Sequence, residues 1–202
     1  MLQELQQLVH AREGHFLLES GHHGSLWLDL ELLCVNPSRI QPFLSELVNR
    51  LVNYRLDAVC GPLVEGAFLA MGVANDLDVP FFYTEQLKPN GDLLYPIGYR
   101  LPTAQRPMIK GKRVAIVNDV INAGSAVRGT YFDVQSCSAT IVAMASLLTL
   151  GDAARAFADE WKIDLITIGS QPNPIWKPEV CPLCADGIPL KGFNEKGPQV
   201  RV

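Results

Sequence analysis

At 202 residues the chain is long enough for one large domain with a sizeable core and short for two. Its 48% hydrophobic and 19% charged residues exclude a disordered chain. A formal net charge of -4 argues against nucleic-acid binding by phosphate neutralisation, though not against a small anion held by backbone N–H groups.

No apolar run approaches the roughly 20 residues of a membrane span. The start, Met1-Leu2-Gln3-Glu4-Leu5, has no basic segment followed by an apolar one, and five cysteines are an odd and scattered set. A cytoplasmic protein with no nucleic-acid or membrane partner is expected.

Leu2, Leu5, Leu8 and Val9 recur at helical spacing, with Gly14 as the expected stop. Phe16-Leu17-Leu18 and Leu26-Trp27-Leu28 read as two strands around the turn Ser20-Gly21-His22-His23-Gly24. Asn36 and Pro37 predict a helix start, with a buried stripe of Phe43, Leu44, Leu47, Val48 and Leu51.

Strands and helices then alternate. Ala58 to Cys60 is a strand, Gly66 to Asn75 a helix, and Pro80 to Tyr83 a strand. Val114 to Val117 is a continuous apolar run, as expected of a strand buried on both faces. Helices at Ser125–Val134 and Asp152–Trp161 flank the strand Thr140–Met144, and Leu165–Ile168 ends the series. This pattern predicts an α/β fold, a mostly parallel sheet flanked by helices, with right-handed crossovers. A small amino-terminal hood (about 1–35) belongs to one domain over 1–170. The Pro- and Gly-rich segment 171–202 forms a tail packed on it.

In open parallel sheets, ligands sit beyond the carboxyl ends of the strands. The run Ala115-Ile116-Val117 ends in Asn118 and Asp119, and Asn122-Ala123-Gly124-Ser125-Ala126 opens the next helix. Small residues let backbone close around an anion at a helix start, Ser125 adds a hydroxyl, and Asn118 and Asp119 can accept hydrogen bonds from sugar hydroxyls. By physics alone, a plain strand–turn–helix junction with an Asn cap explains these residues equally well.

The stretch Arg113-Val-Ala-Ile-Val-Asn-Asp-Val-Ile-Asn-Ala-Gly-Ser-Ala-Val-Arg128 resembles the signature of the type I phosphoribosyltransferases, and most of all that of the orotate phosphoribosyltransferases. Three further segments follow that family's order: Gly14 to Gly21 over the base, Gly61 to Gly66 as pyrophosphate loop, and Tyr83 to Gly91 as catalytic loop. The resemblance implies transfer of a phosphoribosyl group from phosphoribosyl pyrophosphate to a nucleobase, with Mg2+ as cofactor and a homodimer as the assembly. Asn118 and Asp119 would hold the ribose, Asn122 to Ala126 the 5′-phosphate, and Leu63, Val64, Glu65 and Gly66 the pyrophosphate. Lys88, on a loop with Pro89-Asn90-Gly91, and Asp119 would be the catalytic pair.

The chain departs from that pattern in its charges. Asn118 replaces one of two carboxylates and Asn122 a threonine. Glu19 and Glu65 stand where the family has lysine, Thr84-Glu85 where it has basic residues, and neither Leu148 nor Thr149 matches the arginine expected for orotate. Arg100, Arg106, Lys110, Lys112 and Arg128 are the candidate substitutes. Transfer to a different base, or a regulatory protein that binds the phosphosugar without catalysis, are the alternatives these departures raise.

Cys181-Pro-Leu-Cys184 has zinc-knuckle spacing, but a tetrahedral site needs four ligands and no second Cys or His pair accompanies it. A turn with two free thiols is expected and no metal ligand is assigned. A metal site completed within or between subunits, or a reactive dithiol, are the other readings. His22-His23 reads as an exposed turn pair, with pocket lining as the alternative. Trp27, Trp161 and Trp176 read as core and tail anchors, and Lys110-Gly111-Lys112-Arg113 as a solvated turn.

Overall fold

A computed structural model of the chain describes residues 1–88 and 94–191. A first helix, α1 (Leu2–Leu8), leads into a hairpin of β1 (His10–Leu17) and β2 (His23–Asp29). Then follow α2 (Pro37–Leu51), β3 (Ala58–Pro62), α3 (Glu65–Asp76), β4 (Phe81–Gln86), β5 (Tyr99–Arg100) and α4 (Arg106–Ile109). β6 (Arg113–Ile121), α5 (Ser125–Ser136), β7 (Thr140–Leu150), α6 (Ala153–Trp161) and β8 (Asp164–Gln171) complete the alternation. The tail contributes β9 (Ile175–Trp176) and α7 (Pro182–Ala185).

The main sheet has the order β5-β4-β3-β6-β7-β8. All its strands run parallel except the edge strand β5, which pairs antiparallel with β4. β6 lies at its centre between β3 and β7. Its side chains alternate between two cores, as the period of a strand demands. Ala115 and Val117 join Phe43, Leu47, Leu69 and Val73 of α2 and α3. Val114 and Ile116 face Val127, Tyr131 and Val134 of α5.

Several expectations are corrected. Gly14 does not end α1, which stops at Leu8; it lies inside β1, at a register irregularity between Glu13 and Phe16. β1 begins at His10 because pairing with β2 fixes it, and its first residues are mostly exposed, so they leave no apolar signature. His23 and Gly24 belong to β2, not to the turn. β6 and β7 run well past their apolar stretches, since polar Asn118, Asp119, Ser146 and Thr149 extend the ladder at its carboxyl end.

The tail is a third strand of the hood. β9 pairs antiparallel with β2, His23 opposite Trp176, giving a sheet of order β1-β2-β9. Further on, Lys191 accepts from Leu17 N at 3.0 Å and donates to His15 O at 2.8 Å.

Leu47, fully buried on the inner face of α2, tests that packing. Leu47→Ala is expected to cost about 2–5 kcal/mol, through lost transfer energy and a residual cavity, read by denaturant unfolding with the m-value unchanged.

Candidate active site

At the carboxyl end of β6 the chain turns sharply into α5. Gly124 makes the turn at φ +82°, and a Cβ there would also collide with the Phe157 ring. Only glycine meets both conditions. Ser125 is the first residue of α5, so the amides of Ser125, Ala126 and Val127 have no partner within the helix. The Ser125 hydroxyl is itself buried without a hydrogen-bond partner.

These residues wall a cavity of about 220 Å3. Asn118 and Asn122 to Val127 form one side of it, and the hood residues Leu18, Glu19, Ser20, Leu26, Trp27, Leu28 and Leu30 the other. Trp27, expected in the core, thus lies in the wall, with its indole N–H donating to Asp29 at 3.1 Å. Neighbours brace the loop: the Tyr95 hydroxyl donates to Ala123 O at 3.1 Å, and the Asn173 amide donates to Asn122 Oδ1 at 3.1 Å. Neither brace was visible in the sequence, because each comes from a segment with no motif of its own.

Asn118 donates to Val120 O at 2.9 Å, and its amide oxygen lies so close to Gly66 that a Cβ there would overlap it. The expected pyrophosphate segment therefore meets the ribose segment, since β3 and β6 are hydrogen-bonded neighbours. Leu63, Val64, Glu65 and Gly66 sit at that junction beside the cavity, not in its wall. The Leu63–Val64 peptide is cis.

Asp119 is also outside the cavity wall, 6% exposed, and accepts from Val120 N at 2.6 Å. Burial, foremost, pushes its carboxyl up to about 7. The Val120 amide opposes that shift, while the Glu65 and Glu19 carboxylates add to it. Lys88 is exposed just beyond β4, and Pro89, Asn90 and Gly91 of the expected catalytic loop lie outside the described residues.

The altered charges have structural partners. Glu19 lines the cavity and accepts from Tyr99 Oη at 2.9 Å and Gln86 Nε2 at 3.0 Å. Burial raises its carboxyl, with those two hydrogen bonds acting against the shift. Thr84 is buried and shares a hydrogen bond of 2.6 Å with Thr130 of α5, so position 84 has no room for a cation. Leu148 and Thr149 are buried in β7.

Of the candidate substitutes, Arg106 is committed to Asp133 at 2.7 Å. Lys110 and Lys112 precede β6 and so lie at the opposite end of the strand, roughly 30 Å away for nine residues at about 3.3 Å each. Arg100, in register with Glu85, stays at the sheet edge. Arg128 is nearest: it packs 5.1 Å from the Tyr95 and Phe132 ring centroids and lines an adjoining cavity that shares Ser125 with the first. Among the described residues, Glu19 is the one ionisable side chain in the wall of the cavity beneath the hood.

A second constellation joins the Cys181–Cys184 pair to two histidines that the sequence did not connect with it. His15 and His23, 1% and 6% exposed, lie beside Cys181 and Cys184, with the ligand atoms of all four within 4.8 Å of one another. His23 is therefore no exposed turn residue; the hairpin turns it inward against His15. Its neighbour His22 meets Ser20 Oγ at 3.0 Å and the edge of Tyr95.

The sequence profile of the phosphoribosyl transferase domain matches residues 38–180. The chain belongs to that family, whose members are glycosyl-transferring enzymes. It is 27% identical over 190 residues to the orotate phosphoribosyltransferase of Caldanaerobacter subterraneus, covering 94% of this chain and 93% of that one. It is 29% identical over 202 residues to the enzyme of the same name from Thermotoga maritima, covering 98% and 99%.

Among solved structures, orotate phosphoribosyltransferase from Aeropyrum pernix superposes with a TM-score of 0.63 at 23% identity, over 84% of this chain and 93% of that one. Adenine phosphoribosyl transferase from Trypanosoma brucei gives 0.65 at 17% identity, over 84% and 78%. These likenesses establish the fold.

The raised carboxyl of Asp119 has a measurable consequence. An acid whose folded value lies above its unfolded one binds more protons in the native state, so stability falls as pH rises from about 4 to about 7. Asp119→Asn is expected to melt higher than the parent at pH 8 and to lose that advantage by pH 4, read as Tm against pH without ligand. A constant difference across that range would refute the ionisation.

Proposed function

We propose that the chain transfers the phosphoribosyl group of phosphoribosyl pyrophosphate to a base held beneath the hood, releasing pyrophosphate. One observation carries this reading. The Ser125 hydroxyl is buried, has no protein partner, and stands in the cavity wall at the start of α5 beside unpaired amides. A phosphate's oxygens would satisfy all of these donors together.

In this reading Asn122 to Ala126 grip the 5′-phosphate, and Asn118 with Asp119 hold the ribose hydroxyls. Leu63 to Gly66 approach the pyrophosphate through backbone groups, and Lys88 folds over the leaving group, where a cation stabilises developing charge. Mg2+ would be held through one or two carboxylates plus substrate phosphates, and Asp119 and Glu65, whose carboxylates interact with each other, are the acids that could supply them. When bound, the ion would neutralise charge on the pyrophosphate.

Orotate is the first base to consider, since the name of both relatives gives it. Similarity from hood to tail favours transfer over a binding-only regulatory role. Glu19 supports a second reading of the base. A carboxylate where the cavity would need a cation disfavours an anionic base and favours one that offers N–H donors. Purified protein with phosphoribosyl pyrophosphate, Mg2+ and a panel of bases separates the two by pyrophosphate release. Orotate turnover supports the first, turnover with neutral bases alone supports the second, and none with any base refutes transfer.

A homodimer belongs to the proposal by family likeness, and exposed Val64, Phe68 and Met71 offer an apolar face around α3 at helical spacing. A cytoplasmic setting belongs to it as well.

Two substitutions test the phosphate grip. Ser125→Ala is expected to weaken phosphoribosyl pyrophosphate by about tenfold or more, since a hydrogen bond to a charged group is worth about 1.5–3 kcal/mol. Its Tm should not fall, because the hydroxyl has no partner in the free protein. Asp119→Ala is expected to abolish ribose-phosphate affinity in calorimetry; unchanged binding would remove the assignment.

A further inference from the structure

His15 and His23 stand on the two strands of the amino-terminal hairpin, β1 and β2, while Cys181 caps the short α7 and Cys184 lies within it, far along the chain. Their facing atoms are His15 Nε2, His23 Nδ1 and the two Sγ atoms. His15 Nε2 lies 3.0 Å from His23 Nδ1, 3.4 Å from Cys181 Sγ and 3.8 Å from Cys184 Sγ. Cys184 Sγ lies 3.3 Å from His23 Nδ1.

Those four of the six separations match the edges of a coordination tetrahedron, and the other two lie within 4.8 Å. Zinc–nitrogen bonds of about 2.05 Å and zinc–sulfur bonds of about 2.3 Å, at tetrahedral angles, place two nitrogens about 3.3 Å apart. The same geometry places nitrogen about 3.6 Å from sulfur. Four aimed ligand atoms at these distances are more than two free thiols in a turn.

The surroundings agree. His15 Nδ1 donates to Ile188 O at 2.7 Å, which leaves the lone pair on Nε2, pointing at the other three atoms. Ligating histidines are held in their tautomer by this kind of outer hydrogen bond. Cys184 is exposed while the other three are buried, so an ion has a way in. We infer that His15 Nε2, His23 Nδ1, Cys181 Sγ and Cys184 Sγ bind one zinc ion, a site of two nitrogens and two sulfurs that fastens the tail to the hood.

All four positions are filled by protein atoms, so the ion is structural and leaves no place for substrate. Two thiolates and two imidazoles in a tetrahedron select zinc over magnesium or calcium, which take oxygen ligands. Around the site, β9 pairs with β2, and Lys191 pairs with the backbone of β1. These hydrogen bonds involve few residues, and a metal crosslink across a long loop adds what so short a strand lacks. The hood it fastens carries Leu18 to Ser20, Leu26, Trp27, Leu28 and Leu30, one wall of the cavity beside Ser125 and Asn118.

The test uses untagged full-length protein, free of added histidines. Elemental analysis is expected to find about one zinc per chain. After removal of zinc by a strong chelator, Tm is expected to fall and to recover on adding zinc. Added cobalt(II) should give the visible absorption of a tetrahedral site together with thiolate-to-metal charge transfer. His22→Ala, one residue away, is expected to keep its zinc, and Cys181→Ser with Cys184→Ser to lose it. Should the cysteine variants fail to fold, the chelated native chain still decides by its cobalt spectrum. A folded native protein with only trace zinc and no thiolate band on cobalt addition overturns the inference. This outcome is independent of turnover with any base.

Discussion

β6 runs past Ile116, its last residue paired with β3, while still laddered with β7, so its carboxyl end has room for polar side chains that its apolar middle does not. Asn118 and Asp119 occupy that place, and α5 begins within a few residues of them. The unpaired amides of α5, the left-handed Gly124 and the partnerless Ser125 hydroxyl follow from this one turn. Phe157, Tyr95 and Asn173 hold it from three separate segments. The loop is thus set in shape before any ligand arrives, which lowers the entropy lost on binding.

The same arrangement costs the fold stability. Asp119 is buried among carboxylates, and burial raises its carboxyl to about 7. Among the described residues Asp119 has no ion pair and the Ser125 hydroxyl no hydrogen bond, and both conditions are unfavourable in isolation. Their presence at one strand end is the pattern of a site kept for a ligand at some cost in stability.

The hood gives the cavity a different character at its other side. Leucines and Trp27 line it, with the Glu19 carboxylate fixed by Tyr99 and Gln86. The loop Asn122 to Val127 therefore faces an apolar wall bearing a single acid, so the two sides of the cavity differ in chemistry. The tail completes the hood, with β9 as its third strand and the His15–Cys181 cluster at its edge. Departures that look like lost cations resolve differently: Thr84 is a buried contact with α5, and Leu148 and Thr149 are core positions.

Sequence periodicity determined the alternation of the longer strands and helices from Ala58 to Ile168, because local alternation of apolar residues is the direct imprint of burial, but it did not show β5 or α4, which are too short to carry a period. The turn from β6 into α5 was equally legible, since small residues between a buried strand and a helix start are local chemistry, although β6 runs on to Ile121 where the apolar run suggested an end at Val117. The tertiary structure alone decided what crosses long distances. Asn173 reaches Asn122, Glu19 meets Tyr99, Arg106 turns to Asp133, and Lys110 and Lys112 end at the far side of the sheet. The four ligands His15, His23, Cys181 and Cys184 span most of the chain, and no local pattern joins a strand at one end to a short helix at the other. Their meeting depends on β9 pairing with β2, a contact set by folding and not by spacing.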